Sequence, residues 1–316
     1  MTTRQQWRLR AACLLWLGII AGLALLPAAA SAKTLRVVAT HAMFGALARE
    51  LGENAVEVHV IVPPQRDIHF LEPRPSDVLK LARAQLFIHS GLDLELWRGP
   101  LVEAARNRLV FPGAAGDFDA AVGVPLLDPP SRDASRAEGD VHIFGNPHYW
   151  LDPENLRIVA RRLAEKLATL LPERAAQITA TAQRFDAALR ERIGAWRARF
   201  APYAGQEIVA YHNSWPYLAQ FLGVRITLFL EPKPGIPPSG KHLATIVGLM
   251  RSRNLRVIIN EPPYPTQPAE VVAQRVGGRV VLLAQVPGAL PQTDTPVSFF
   301  EVLVGRLATA LGQGRG

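Results

Sequence analysis

The chain contains two copies of one alternating pattern, and this internal repeat limits the possible folds more than any other feature. Residues 37–41 read VVATH, and residues 208–212, at an offset of 171 positions, read IVAYH. Leu-Ala and Leu-Gly pairs follow both at matching spacing, and each copy continues with a strand, a Pro-rich loop, a Pro-Ser helix start and another strand. In the first copy Ser76 is predicted to cap the helix, and the strand after it is predicted over residues 85–89. Strands that alternate with helices indicate parallel βαβ units. We therefore predict an α/β protein with two pseudo-repeated lobes and a cleft between them.

A long stretch of helical periodicity separates the two copies. Apolar residues recur every three or four positions, first up to Pro172 and then over residues 173–200. The second stretch predicts a helix roughly 40 Å long at about 1.5 Å per residue. We expect this helix to join the lobes rigidly. The domain boundaries predicted in this way are 33–153 for the first lobe, 154–204 for the helical connector and 205–316 for the second lobe.

The first 32 residues have the pattern of a cleavable export signal. Three arginines precede an apolar run over residues 12–28, and Ala30-Ser31-Ala32 fits the small-residue cleavage rule. A membrane anchor is the alternative, but the run is short and no basic flank follows it. The one cysteine, Cys13, lies within this segment, so a chain that begins at Lys33 has no thiol. Export without disulfides indicates a periplasmic protein.

The net charge of +8 is modest, and the arginines are spread along predicted helices rather than clustered with aromatic residues. This distribution argues against a nucleic-acid-binding protein. Residues 112–141, rich in Gly, Ala, Asp and Pro, predict a mobile surface loop.

Three histidines occupy equivalent kinds of position. His69 lies in the loop after a strand, His148 lies in the Pro-bounded segment 146–153, and His212 directly follows a strand of the second copy. Ligands of open α/β sheets bind beyond the carboxyl ends of the strands. Three imidazoles suit Zn²⁺, with a carboxylate or water in the fourth position. The histidines are 79 and 64 residues apart, so spacing alone leaves ordinary surface or core histidines as the alternative.

Four segments of the sequence together resemble a known family. They are VPPQRDIHFLEPRPSD at 62–77, NPHYWLDP at 146–153, AYHNSWPYLAQFLG at 210–223 and EPKPGIPPS at 231–239. The whole chain after residue 32 is similar to the zinc/manganese-type (cluster A-I) periplasmic solute-binding proteins of bacterial metal ABC transporters.

The resemblance implies a monomeric, non-enzymatic carrier that captures a divalent metal and delivers it to an ABC transporter membrane permease. It implies His69, His148 and His212 as the metal ligands. In that family a histidine at the position of His212 accompanies zinc, whereas an acidic residue there accompanies manganese. The expected cargo is therefore Zn²⁺ rather than Mn²⁺. Neutral imidazole ligands also predict that affinity falls as the pH drops through about 6.5.

The chain departs from the family pattern in two places. Many members have a fourth ligand, an aspartate, in a segment that corresponds to residues 282–288, and no aspartate is present there. Water, Glu231, Glu261 or Asp294 could take that position. Zinc-specific members often have a His-rich loop before the segment of His148. Here residues 117–141 contain no histidine, and His142 comes just beyond them.

The other functional assignments stay open on the sequence alone. His41 could face the cleft and His142 could assist metal capture, whereas the histidines at 59, 89 and 242 fit structural or surface roles. Trp150 and Trp215 could wall the site, and Asp152 could orient it or cap the following helix. A manganese carrier, a metal chaperone or an adhesin of the same family is an alternative function. An exported zinc hydrolase is another, although no HExxH-type motif supports it.

Overall fold

The computed structural model describes residues 34–127, 142, 144–233 and 235–313. Residues Leu35–Gly316 form one compact unit. The predicted signal segment and residues 128–141 of the predicted surface loop lie outside the described residues.

Two four-stranded parallel sheets form the framework of this unit. The first sheet contains β1 (Leu35–Ala39), β2 (Val56–Val60), β3 (Leu86–His89) and β4 (Asp117–Asp119). The second contains β5 (Glu207–Ala210), β6 (Arg225–Phe229), β7 (Val257–Asn260) and β8 (Arg279–Leu282). The strand orders, β2-β1-β3-β4 and β6-β5-β7-β8, are the same. The sequence repeat is thus a repeat of topology, and the predicted two-lobed α/β fold is confirmed.

The central strands β3 and β7 are mostly apolar because both faces of each sheet are covered. Every residue of β3, LFIH, and of β7, VIIN, is buried. Continuous apolar strands are typical of parallel sheets with helices on both sides.

Nine α-helices surround the sheets in the described part of the chain. They are α1 (Ala42–Gly52), α2 (Pro75–Ala82), α3 (Arg98–Ala105), α4 (Pro153–Leu170), α5 (Ala175–Phe200), α6 (Pro216–Leu222), α7 (Gly240–Ser252), α8 (Gln267–Val276) and α9 (Pro296–Gly312). Four of them begin with proline, which lacks the N–H that a first helical turn would leave unpaired. The sequence suggested that Ser76 caps α2, but the cap is Arg74. Ser76 lies inside the first turn, and the Asp77 carboxylate accepts from the backbone N–H of Arg74 at 2.8 Å.

The long helix α5 contacts both lobes. Near its start, Thr181 donates to Glu53 at the end of α1 at 3.1 Å. Near its end, Trp196 donates to Glu301 of α9 at 2.9 Å and packs on Phe300. One apolar core runs through both lobes beside this helix. Because wide separation of the lobes would expose that core, we expect only small opening motions. The exact domain boundaries stay predictions.

In the part of the chain that the structure describes, no helix has the length and apolar character to cross a bilayer.

Candidate metal centre

The fold brings together the three histidines that lie far apart in the sequence. The ring centroids of His69 and His148 are 5.4 Å apart, those of His69 and His212 5.5 Å, and those of His148 and His212 5.7 Å. Each ring offers one nitrogen, and these three nitrogens lie within 4.8 Å of one another. All three residues are buried. The first lobe supplies two of the rings and the second lobe supplies the third, so the cluster lies where the lobes meet.

The segment around His148 is fixed by the start of α4. A short 3-10 helix, Tyr149–Leu151, follows His148, and the Asp152 carboxylate then accepts from the backbone N–H of Glu154 at 2.8 Å. Asp152 therefore caps the helix, which was one of its two predicted roles. Burial raises the pKa of Asp152 to about 6.

Each of the three imidazoles is held at its Nδ1 atom by an oxygen. The Nδ1 of His69 lies 2.6 Å from Asp67 Oδ1, and that of His212 lies 2.5 Å from Glu231 Oε2. The Nδ1 of His148 lies 3.0 Å from Asn146 Oδ1. The amide of Asn146 is itself oriented, because its Nδ2 donates to the backbone oxygen of Asn213 in the second lobe at 2.9 Å.

These contacts fix the tautomer of the rings. A carboxylate accepts hydrogen bonds and does not donate them, and the carbonyl end of an oriented amide does the same. The proton of each neutral ring therefore resides on Nδ1, and Nε2 keeps its lone pair. A metal-binding histidine in proteins is commonly anchored in this way through its second nitrogen. The arrangement of all three rings can thus present basic Nε2 atoms to one cation.

The anchoring residues of the two first-lobe histidines follow a local rule. Asp67 and Asn146 each lie two positions before their histidine, and each Oδ1 also accepts the backbone N–H of that histidine, at 2.9 and 3.0 Å. Such turns of Asp and Asn onto the backbone two residues later are common in loops. Sequence reasoning did not identify these two residues, although the shared D-x-H and N-x-H spacing was the signal that could have found them.

The environment of His148 makes it a weak base. Burial, together with the neighbouring histidines, lowers the pKa of His148 well below its usual value. This ring therefore stays neutral, and available to a metal, at a lower pH than an exposed imidazole. The fall in metal affinity as the pH drops through about 6.5 stays a prediction.

The carboxylates proposed as fourth ligands have other positions. Glu231 binds the Nδ1 of His212, on the side of the ring away from Nε2. Glu261 is fully buried and accepts from Ser214 at 3.0 Å and from Gln285 at 3.4 Å. Asp294 is exposed, beside a cavity that Pro63 also lines. Among the described residues, none of the three carboxylates belongs to the group of converging atoms.

Glu261 gives a testable pH effect on stability. Burial raises the pKa of Glu261 to about 8, from an ordinary value of 4.5. Between these values the folded protein holds a proton that the unfolded chain releases, so the free energy of unfolding falls as the pH rises. We expect Glu261→Gln to remove this slope, which amounts to about 3 kcal/mol of unfolding free energy between pH 5.5 and pH 8. Urea unfolding at pH 5.5 and pH 8 measures this change in the free energy of unfolding. Glu270→Gln, at an exposed position on α8, is the control. Equal pH slopes in wild type and Glu261→Gln would contradict the prediction.

Of the other aromatic and histidine candidates, Trp150 and His142 lie beside the cluster, whereas Trp215 and His41 lie at the starts of helices. Trp150 packs against His148, with ring centroids 5.4 Å apart, and so forms a wall of the site. Trp215 is fully buried where α6 begins. His41 caps α1 by accepting from Met43 N at 3.3 Å, and burial lowers its pKa to about 3. His142 lies beside the cluster, with its ring centroid 5.2 Å from that of His69.

The remaining histidines have contacts outside the cluster. His59 pairs with Asp77 at 2.8 Å, and His89 pairs with Asp117 at 3.1 Å. His242 contacts the backbone oxygen of Phe229 at 3.2 Å. These contacts fit the structural roles that the sequence suggested.

The fold and the histidine cluster are those of a two-lobed metal-binding protein. The family model described as "Zinc-uptake complex component A periplasmic" matches residues 37–310. The chain therefore belongs to this family, ZnuA, whose members are the solute-binding components of ABC-type metal uptake systems.

Individual relatives differ in the metal that they are named for. The iron-binding protein YfeA of Yersinia pestis is 26% identical over 298 residues, which cover 90% of this chain and 88% of YfeA. The high-affinity zinc uptake protein ZnuA of Bacillus subtilis is 21% identical and covers 85% of this chain and 84% of its own length. The structure of FpvC from Pseudomonas aeruginosa in complex with Mn²⁺ superposes with a TM-score of 0.75 at 20% identity, over 89% of this chain and 99% of FpvC. Family membership thus defines metal binding without selecting one metal.

Proposed function

We propose that this protein captures Zn²⁺ outside the cytoplasm and delivers it to the membrane permease of an ABC transporter. The observation that carries the proposal is the set of three buried imidazoles, each anchored at Nδ1, that converge without a carboxylate among them. His69, His148 and His212 are the proposed ligands.

The donor set favours zinc over the other metals named among the relatives. Imidazole nitrogen suits Zn²⁺, whereas Mn²⁺ prefers carboxylate and other oxygen ligands. The two carboxylates closest to the cluster, Asp67 and Glu231, contact the far nitrogen of a ring. Their charges balance the two positive charges of the cation at a distance, which makes a buried divalent ion acceptable in this site.

The export and partner assignments rest on the family. Its members are transport proteins, so a membrane permease is the expected acceptor of the metal. A monomer is the simplest form for such a carrier, and nothing in the chemistry of the site requires bond making or breaking.

A competition experiment tests the proposed cargo. Calorimetric titration of the purified, metal-stripped protein with Zn²⁺ should give one tight site. The same titration in the presence of excess Mn²⁺ should be nearly unchanged, because an all-nitrogen donor set binds Mn²⁺ far more weakly. Displacement of Zn²⁺ by equimolar Mn²⁺ would contradict the zinc assignment and would favour a manganese carrier of the same family.

The anchoring carboxylates should tune affinity. We expect Asp67→Asn and Glu231→Gln each to weaken Zn²⁺ binding roughly 10- to 100-fold, since each removes a charge that raises the basicity of a ligand ring. Asp117→Asn is the matched control, because Asp117 forms the same kind of pair with His89 outside the cluster. If all three variants changed affinity equally, the anchors would have no specific role.

A further inference from the structure

A fourth imidazole lies beside the three converging rings. The ring centroid of His142 is 5.2 Å from that of His69 and 6.3 Å from that of His148. We propose that His142 supplies the fourth ligand to the bound Zn²⁺, in the position that an aspartate holds in similar proteins. This inference rests on the proposed function, because it concerns the same metal site.

The ring spacings fit a four-histidine site. A tetrahedral zinc with Zn–N distances of about 2 Å places the centroids of its imidazole rings about 5 Å apart. The three proposed ligands are spaced at 5.4 to 5.7 Å, and the distance from His142 to His69 is shorter than any of these. The distance from His142 to His148 exceeds the ideal by about 1 Å. His142 lies outside the group of three converging nitrogens, so its ring would have to move toward the other rings to complete the coordination shell.

The alternative oxygen ligands are engaged elsewhere. Glu231 holds the ring of His212, and Glu261 accepts from Ser214. Gln285 lies in the segment where similar proteins have their aspartate, and its Nε2 donates to Ser214 at 2.8 Å. Its backbone oxygen accepts from the indole of Trp150 at 2.8 Å. Because of these bonds, the segment of Gln285 is packed against neighbouring side chains and supplies no ligand to the metal.

The position of His142 in the chain gives it a distinct role. It is partly buried, whereas the other three rings are buried. It is therefore the most exposed of the four proposed ligands.

The test is the zinc coordination number of the wild-type protein and of His142→Ala. X-ray absorption of the zinc-loaded wild type should show four imidazole nitrogens, and the variant should show three imidazole nitrogens with one oxygen donor from water. Calorimetric titration should show at least tenfold weaker Zn²⁺ binding by the variant. His242→Ala, which removes a histidine outside the cluster, should match wild type in both measurements.

The outcomes separate this inference from the proposed function. If wild type binds Zn²⁺ tightly through three imidazoles and His142→Ala matches it in affinity, the fourth-ligand inference fails and the zinc carrier stands. If wild type binds no Zn²⁺ tightly, the proposed function fails together with the inference. Urea unfolding of the metal-free variant shows whether its fold is intact, so that a loss of affinity is assigned to the lost ligand.

Discussion

Substitution of His148 by alanine is expected to weaken Zn²⁺ binding about a thousandfold, which corresponds to roughly 4 kcal/mol. The free energy of binding of a protein-held zinc is about 10 to 16 kcal/mol and is shared among its ligands. His148 is almost fully buried, and its Nδ1 is oriented by Asn146, so this ring reaches the metal with little loss of conformational freedom. Alanine leaves a cavity where the nitrogen was and no donor to replace it.

The measurement is a competition titration with a zinc chelator on metal-stripped wild type and variant. His89→Ala is the matched control, because His89 is equally buried and paired with Asp117 but lies outside the cluster. We expect that control to lose stability while its zinc affinity stays within a few-fold of wild type. Unchanged zinc affinity in His148→Ala would place the metal site elsewhere in the protein.

Substitution of Trp150 by alanine is expected to lower the free energy of unfolding by about 3 to 5 kcal/mol. The side chain is fully buried and packs against His41, Phe44 and His148. Its Nε1 donates to the backbone oxygen of Gln285 at 2.8 Å, a bond that joins the two lobes. The variant loses the packing, leaves a buried carbonyl without its partner and removes the wall behind His148.

Two further variants separate these contributions. Trp150→Phe keeps most of the apolar contact and loses the hydrogen bond, so it should cost about 1 to 3 kcal/mol. Trp196→Phe loses a comparable indole bond, to Glu301, at a distance from the histidines. Urea unfolding should show a loss in all three variants, whereas zinc affinity should fall only in the two Trp150 variants. A zinc affinity for Trp150→Ala equal to that of wild type would show that the wall does not position His148.

The two-lobed fold could be predicted because its signals are local. The helix predicted over 173–200 is α5 at Ala175–Phe200, and the strand predicted over 85–89 is β3 at Leu86–His89. Apolar periodicity reports which face of an element is buried, and a repeat of that periodicity reports a repeat of topology. Ser76 was placed wrongly at the helix cap because the cap lies two positions earlier, at Arg74, with Pro75 and Asp77 in the first turn.

The sequence by itself determined the elements and their repeat, because strand ends and turns follow from short-range pattern. The three histidines were identified as candidate ligands through the resemblance of four segments to a known family. Only the tertiary structure decided how the side chains meet. It paired Glu231 with His212, placed Glu261 against Ser214, and put the ring of His142 beside that of His69. Such contacts join residues from different strands and lobes, and no local periodicity encodes the distances between them. Local sequence pattern and contacts between distant residues thus carry different information about the protein. Backbone preference and the periodic pattern of burial can be read from neighbouring residues in the sequence. Side-chain hydrogen bonds and metal coordination join residues that are far apart in the sequence.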